Sequence, residues 1–314
     1  MRHHETVLKQ EALSALNVRP EGRYVDATFG RGGHARAILD TLGVGGSLLV
    51  LDRDPEAIAA AQGLMAQDPR VKAMKTPFGA LESALAEARL QGKVDGILFD
   101  LGVSSPQLDE PERGFSFMRD GPLDMRMDSD AKTSAAEWLA DAPEQQIADV
   151  IYQLGEERYS RRIARAIVKV RTEMAITRTS QLADIVKQAH PAWEKHKHPA
   201  TRTFQAIRMH INNELSELDS ALEAALKSLA TGGRLVVISF HSLEDRMVKK
   251  FMARCAKGDS FPRGVPVTAA QLKPSLSLIG RPIRPTADEV QVNSRARSAV
   301  MRTAEKLEVE AAVA

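Results

Sequence analysis

The 314-residue chain has one cysteine, Cys255, and no apolar run long enough to cross a membrane. A single cysteine cannot form an intramolecular disulfide, which favours a reducing compartment. The first residues also lack the apolar segment of a secretion signal. These absences predict a cytoplasmic protein that does not associate with a membrane.

A strong net charge is missing as well, because 43 Lys and Arg residues are balanced by 41 Asp and Glu residues. The formal net charge of +2 gives no reason to expect a polyanionic partner. The distribution is uneven, since residues 155–210 carry 12 basic and 5 acidic side chains, whereas residues 95–130 carry 9 acidic and 3 basic ones. A basic region beside an acidic one can steer a nucleic acid, but the same pattern also fits solvated helix faces.

Three glycines within four residues, Gly30, Gly32 and Gly33, follow a short segment rich in strand-forming residues. A helical pattern begins directly afterwards. The segment therefore predicts a strand, a tight turn and a helix N-terminus whose free N–H groups can meet a polar ligand. The G-x-G-x-x-G spacing of dinucleotide-binding folds is absent, which argues against a nicotinamide dehydrogenase.

Acidic or aromatic side chains follow the next three predicted strands. Asp52 and Asp100 end the second and fourth strands, and Phe78 comes shortly after the third. Asp52 lies about 20 residues after the glycines, the distance at which a Rossmann-type sheet places an acid on ribose hydroxyls, with Asp54 as an alternative. Because parallel strands end at the same edge of a sheet, these side chains predict one nucleoside-sized site.

Strand and helix patterns alternate in the first part of the chain. This alternation then stops for about 100 residues, in which only helical patterns occur. We therefore predict an α/β parallel sheet in a discontinuous catalytic domain, residues 1–106 and 205–314, and an inserted all-helical substrate-recognition domain, residues 107–204. From Phe204 to Leu229 apolar residues keep a spacing of three to four. This spacing predicts one long helix that returns the chain to the sheet.

Four segments resemble the signature motifs of the RsmH family, also called MraW. They are Asp100–Asp109, Arg113–Phe117 with Gly121–Asp128, Pro199–Ala206 and Ser239–Arg246. The resemblance covers the chain up to about Arg302. It implies a Rossmann-like class I methyltransferase fold and S-adenosylmethionine-dependent methylation of N4 of a cytidine in the decoding centre (P site) of bacterial 16S rRNA.

The resemblance also implies the cofactor-binding residues. The positions of this chain that match the family's cofactor contacts are Gly32, Gly33, His34, Asp52, Phe78, Asp100 and Gln107. The glycines and His34 are expected at the methionine end, Asp52 at the ribose and Phe78 beside the adenine. His34 and Gln107 rest on the resemblance alone.

Many amino-methyltransferases carry an Asp/Asn-Pro-Pro-aromatic loop after the fourth strand, and this chain lacks it. The residues at that place are Ser104, Ser105, Pro106 and Gln107, as in the family that the chain resembles. The cytosine amine is a poor nucleophile because its lone pair is delocalised, so nearby acceptors would help. We expect Asp100, Ser104, Ser105 and Pro106 to be catalytic in a direct in-line transfer. The aromatic residues that could stack on a flipped base are Phe115, Phe117 and Phe204.

RNA contacts are expected in the basic part of the chain and near its last strands. The candidates are Lys195, Lys197, Arg202, Phe204, Arg208 and His241. The implied partner is 16S rRNA within the small ribosomal subunit, and monomer and homodimer both remain open. The histidines at 190, 196 and 198 lack a cysteine or a spaced acid, so no metal site is predicted. A non-catalytic RNA-binding module would explain the basic helices but not a complete cofactor pocket.

Overall fold

The chain divides into two compact units, each with its own core. The computed structural model describes residues 6–192, 198–258 and 272–308. One unit, here called the sheet unit, comprises Met1–Gly102 and Ser216–Ala314, and the other, the helical unit, comprises Val103–Leu215. The helical unit is longer at both ends than the predicted insertion, residues 107–204, because Val103 and Ile211 pack against its core.

The strands all belong to the sheet unit. In the described part of the chain they are β1 (Arg23–Asp26), β2 (Ser47–Asp52), β3 (Val71–Lys75), β4 (Val94–Asp100), β5 (Leu229–Ser239), β6 (Leu276–Leu278) and β7 (Val300–Lys306). They form one sheet in the order β3-β2-β1-β4-β5-β7-β6. Strands β1 to β5 are parallel, whereas β7 is antiparallel to both β5 and β6.

Helices make up most of the remaining described structure. They are α1 (Lys9–Leu16), α2 (Gly33–Thr41), α3 (Pro55–Gln67), α4 (Leu81–Glu87), α5 (Ser105–Asp109), α6 (Ala135–Asp141), α7 (Glu144–Gly155), α8 (Ser160–Glu173), α9 (Thr179–Ala189), α10 (Ala200–Ile211), α11 (Glu214–Ser228), α12 (Ser242–Lys257) and α13 (Ala287–Val292). Among the residues described, no helix combines the length and apolar composition needed to span a bilayer.

Apolar side chains cover both faces of the sheet, as parallel strands require. Along β4, Ile97 and Phe99 belong to a buried cluster with residues of α4, α11 and α12, whereas Leu98 packs with residues of α1 and α2. Alternate residues of a strand point to opposite faces, so helices lie on both sides of the sheet. This arrangement confirms the predicted Rossmann-like α/β fold.

The helical unit has its own apolar core. The predicted stripes on α7 and α8 face inward, and Ile147, Ile151, Ile163 and Ile167 are fully buried. Ser134 caps α6 by accepting a hydrogen bond from the backbone N–H of Glu137, as the sequence predicts. The described residues of this unit contain no strand longer than a single isolated bridge.

The predicted long helix over residues 204–229 is wrong, because the structure divides it into α10 and α11. Asn213 lies between them with φ at 53°, in the left-handed region that asparagine tolerates. The buried side chain of Asn212 donates to the Met125 carbonyl over 2.7 Å and accepts from the Met127 N–H over 2.8 Å. These two bonds anchor the break to a loop of the helical unit.

Gly155, the last residue of α7, tests how closely α7 packs on α10. A Cβ at this position would lie 2.7 Å from the Arg202 carbonyl oxygen and 3.2 Å from the Ala206 Cβ. Gly155→Ala should therefore lower the free energy of unfolding by ~1–3 kcal/mol. The matched control is Gly63→Ala in α3, whose Cβ would meet nothing within 4 Å and which should be neutral or stabilising. Equal effects of the two variants in chemical denaturation would contradict this packing.

Candidate functional site

Three aspartates end the neighbouring strands β1, β2 and β4. They are Asp26, Asp52 and Asp100. Strand β1 lies between β2 and β4, so their carboxylates share the edge of the sheet at the point where the strand order reverses. Asp26, which is 1% exposed, was missed by the sequence analysis although it ends its strand as the other two do.

The glycine turn after β1 forms the predicted strand, turn and helix. Gly32 has φ at 75°, and a Cβ there would lie 2.6 Å from the Phe29 ring, so the turn requires glycine. Helix α2 starts at Gly33, and no side chain among the described residues caps its N-terminus. Its first N–H groups and its positive dipole end are therefore suited to an anionic group such as a carboxylate.

Asp52 ties this turn to β2. Its Oδ2 accepts the N–H of Gly30 over 2.8 Å, and its Oδ1 accepts the N–H of Asp54 over 2.9 Å. Burial raises the pKa of the Asp52 carboxyl, and these two N–H groups oppose that shift. Each carboxylate oxygen can accept a second hydrogen bond, so Asp52 retains capacity for ribose hydroxyls.

Asp54 has a different role from Asp52. It is 4% exposed and caps α3, because its Oδ1 accepts the N–H of Glu56 over 3.0 Å. A carboxylate that is buried as a helix cap is poorly placed for a ligand. The structure therefore favours Asp52 over Asp54 as the ribose ligand.

Phe78 lies in a short 3₁₀ turn after β3 and is half-buried. Its ring meets the Phe99 ring edge-on, with 6.1 Å between ring centroids. A Cβ at Gly79 would lie 3.0 Å from the Cα of Glu217 on α11, and the Glu217 Oε1 lies 3.1 Å from the Arg53 Nη1. The predicted adenine contact is thus packed against the Phe99 ring, and the turn that carries it lies close to α11.

His34, in the first turn of α2, brings a positive charge to the aspartates. Its Nε2 lies 3.5 Å from the Asp100 Oδ2, and the ring is 6% exposed. Burial alone would lower the pKa of His34, but the adjacent Asp100 carboxylate and the charge of Asp26 outweigh it and raise that pKa. The ring therefore stays charged to a higher pH than a free histidine does.

Asp26 is the most deeply buried of the three carboxylates. Its Oδ1 accepts the Thr28 N–H over 3.2 Å, but its Oδ2 has no hydrogen-bond donor among the described residues. Burial raises the pKa of Asp26 to about 6, although the charge of His34 and the Thr28 N–H oppose the shift. The Thr28 hydroxyl in turn accepts the Asp100 N–H over 2.7 Å, which fixes the end of β4 beside β1.

These groups fit S-adenosylmethionine, which combines an amino-acid end, a sulfonium, a ribose and an adenine. The uncapped α2 N-terminus suits the carboxylate, the aspartates suit positive charge, and Asp52 suits the ribose. Phe78 is predicted to lie beside the adenine. The fold and this site together define an S-adenosylmethionine-dependent methyltransferase.

The chain belongs to the MraW methylase family, which matches residues 1–307. This match confirms the predicted family and its cofactor, S-adenosylmethionine.

Similar solved structures come from several organisms. An inferred rRNA methylase of Clostridium thermocellum is 13% identical, with 97% of this chain and 99% of that one covered and a TM-score of 0.44. An rRNA methylase of Streptococcus thermophilus is 12% identical, with coverages of 96% and 95% and a TM-score of 0.42. An S-adenosylmethionine-dependent O-methyltransferase of Thermotoga maritima is 11% identical, with coverages of 99% and 70% and a TM-score of 0.42. Likenesses this weak do not indicate a substrate.

The loop after β4 belongs to the helical unit from Val103 onward. Ser104 precedes α5, and its N–H donates to the Gln107 Oε1 over 2.9 Å. Gln107 is buried, whereas Ser105 and Pro106, the first two residues of α5, are half-buried. The Gln107 amide thus helps to shape the loop, and its predicted contact with the cofactor stays a prediction.

The aromatic candidates differ in exposure. Phe115 and Phe204 are 6% and 4% exposed and lie in the core of the helical unit. Phe117 is partly buried and packs on the rings of Phe204 and His198, at centroid distances of 4.9 and 4.7 Å. Phe204 is thus buried in this structure, and its predicted contact with RNA stays a prediction.

Two predicted RNA-binding arginines are engaged inside the helical unit. Arg208 forms a bidentate pair with Glu214, with N–O distances of 2.8 and 2.7 Å, and its side chain is 14% exposed. The Arg202 Nη1 lies 3.8 Å from the Oε2 of the buried Glu157. A buried carboxylate needs a cation, so both arginines compensate an acid within this unit, and their predicted contacts with RNA stay predictions.

His241 is likewise engaged within its own unit. Its Nδ1 accepts the N–H of Glu244 over 3.4 Å at the start of α12, and its Nε2 lies 3.0 Å from the Glu244 Oε1. His241 is therefore a helix cap in this structure. The other two candidates, Lys195 and Lys197, lie outside the described residues.

Asp52→Asn tests the ribose contact with little change in side-chain volume. Loss of the charge should weaken S-adenosylmethionine binding by ~1.5–3 kcal/mol, the usual worth of hydrogen bonds to a charged group. Asp54→Asn is the matched control, because asparagine also caps helices and should leave the affinity nearly unchanged. Titration calorimetry measures both. A larger loss in Asp54→Asn than in Asp52→Asn would transfer the ribose contact to Asp54.

Proposed function

We propose that this protein methylates N4 of a cytidine in the decoding centre (P site) of bacterial 16S rRNA, within the small ribosomal subunit and in the cytoplasm. The observation that carries the proposal is the MraW methylase match over residues 1–307, in a chain whose Asp26, Asp52 and Asp100 share one sheet edge. The family resemblance supplies the nucleoside and the position.

The proposed chemistry depends on alignment more than on strong acids or bases. When bound, S-adenosylmethionine supplies a methyl group that is already activated by its sulfonium. The chain must orient the cytosine amine in line with this group and exclude water. Asp100 offers the amine an acceptor, because it ends β4 at the carboxyl edge of the sheet and its side chain is 25% exposed. Ser104, Ser105 and Pro106 follow in the chain and are proposed to orient the base.

The helical unit is proposed to recognise the RNA, with α8 as the phosphate-binding surface. Arg162, Arg165 and Lys169 are exposed at spacings of i, i+3 and i+7, so they share one face over ~10 Å of helix. The opposite face packs in the core through Ile163 and Ile167. A row of exposed cations on a rigid helix suits an RNA backbone better than the arginines that are paired with buried acids.

The methyl acceptor can be identified directly. The protein, labelled S-adenosylmethionine and unmethylated small subunits should give labelled 16S rRNA, and nuclease digestion with mass spectrometry should find N4-methylcytidine at one position. Asp100→Asn, which weakens the proposed acceptor, should lower turnover by ~10²-fold or more. Label at another atom of cytosine, or in another RNA, would contradict the proposal.

Arg162→Glu tests the α8 surface. Each lost phosphate contact should reduce the slope of log affinity against log salt by ~1, so RNA binding weakens while S-adenosylmethionine binding is unchanged. Lys93→Glu makes the same change of charge at an exposed position before β4, at the opposite edge of the sheet from the aspartates, and serves as the control. If both variants keep the wild-type salt slope, α8 does not bind the phosphates.

A further inference from the structure

His34 lies among carboxylates that differ in exposure. Its Nε2 is 3.5 Å from the Asp100 Oδ2, and the Asp100 side chain is 25% exposed. Asp26 is 1% exposed and ends the strand next to β4. Of these three groups, Asp100 is therefore the one that substrate and water can reach, while His34 and Asp26 act from behind it.

The two oxygens of Asp100 have different surroundings. Oδ2 lies 3.5 Å from the His34 Nε2, whereas Oδ1 is buried and has no hydrogen-bond partner among the described residues, so only Oδ2 can be open to solvent. The backbone of Asp100 is fixed by its N–H bond to the Thr28 hydroxyl, 2.7 Å long. An imidazolium at one lone pair of Oδ2 would hold the carboxylate in one orientation and leave the other lone pair of this oxygen for a second donor, such as an amine.

We propose that His34 is a positioning residue that holds Asp100 as the acceptor of the proton released by cytidine N4, with the buried Asp26 behind them on the neighbouring strand. The proposal rests on the proposed function and adds the identity of the proton acceptor and its control.

The proton must leave because of how the new bond forms. The lone pair of N4 makes the nitrogen–carbon bond while the carbon–sulfur bond breaks and its electron pair stays on sulfur. N4 then carries one proton too many and gives it to the Asp100 carboxylate, which is exposed enough to pass it to water. Asp100 has to be ionised and oriented beforehand, and an imidazolium on Oδ2 favours both.

The charges around His34 determine how this arrangement responds to pH. Asp100 on β4 and Asp26 on β1 raise the pKa of His34, whereas burial and the exposed Lys9 on α1 lower it. Asp52 on β2 acts on Asp26, whose pKa is about 6, so Asp26 carries its charge above that pH. When the pH rises past the pKa of His34, Asp100 loses its charged partner, and methyl transfer should decline.

Two substitutions should move this decline in opposite directions. Asp26→Asn removes a negative charge, lowers the pKa of His34 and should shift the alkaline decline to lower pH. Lys9→Gln removes a positive charge and should shift it to higher pH, by less because Lys9 is exposed to solvent. Lys9→Gln changes a surface side chain, so it tests the proposal even if Asp26→Asn folds poorly.

The experiment has two readouts. The first is an NMR titration of the His34 ring in ¹³C-labelled protein without cofactor, assigned with His34→Gln. The second is the pH–rate profile on small subunits at saturating S-adenosylmethionine. We expect the pKa of His34 and the pH of the alkaline decline to fall in Asp26→Asn and to rise in Lys9→Gln. In His34→Gln the alkaline decline should disappear, because the glutamine amide donates a hydrogen bond without titrating.

The possible failures can be told apart. An inactive wild-type protein would refute the proposed function, while the titration would still test the link between His34, Asp26 and Asp100. An unchanged titration of His34 in Asp26→Asn and Lys9→Gln overturns the inference, as does a wild-type alkaline decline in His34→Gln. If Asp26→Asn lowers the affinity for the cofactor and leaves the pKa of His34 unchanged, Asp26 is a cofactor-binding residue instead.

Discussion

Negative charge gathered at the carboxyl ends of β1, β2 and β4 is the constraint on which the site depends. A carboxylate that is removed from water is costly unless it is hydrogen-bonded or paired, and the three are compensated differently. Asp52 accepts two backbone N–H groups and Asp100 faces His34, whereas Asp26 and Asp100 each keep one oxygen that has no donor among the described residues. A cationic ligand such as a sulfonium is therefore favoured at this edge.

The fold keeps these charges in place. Because both faces of the parallel sheet are covered by helices, the strand ends cannot move independently of the core. The Asp52 carboxylate connects β2 to the glycine turn, and the turn aims the N-terminus of α2 at the same edge. Phe78 packs edge-on against the Phe99 ring. One arrangement of backbone thus fixes the groups that are predicted to bind the cofactor.

The sequence predicted the sheet and most of this edge, because a strand followed by an acid or by glycines is a local pattern. Asp26 was missed because it lies within a segment that reads as apolar, and its place at the end of a four-residue strand is not visible locally. The pairing of Arg208, a predicted RNA contact, was not foreseen, and the reason is non-local. The break between α10 and α11 at Asn213 allows Glu214 to form an ion pair with Arg208. The apolar spacing predicts one continuous helix there, so it does not reveal this ion pair. The sequence shows which residues are charged or aromatic, but it does not show which residues they contact in the folded protein.

A crystal structure of the protein with S-adenosylhomocysteine tests the central claim most directly, namely that the three strand-ending aspartates surround the cofactor. The account predicts ribose hydroxyls at about 3 Å from the Asp52 carboxylate, the amino-acid end at the N-terminus of α2 and the adenine beside Phe78. A ligand bound away from the carboxyl edge of β1, β2 and β4, or bound there with its adenine at His34, would contradict it.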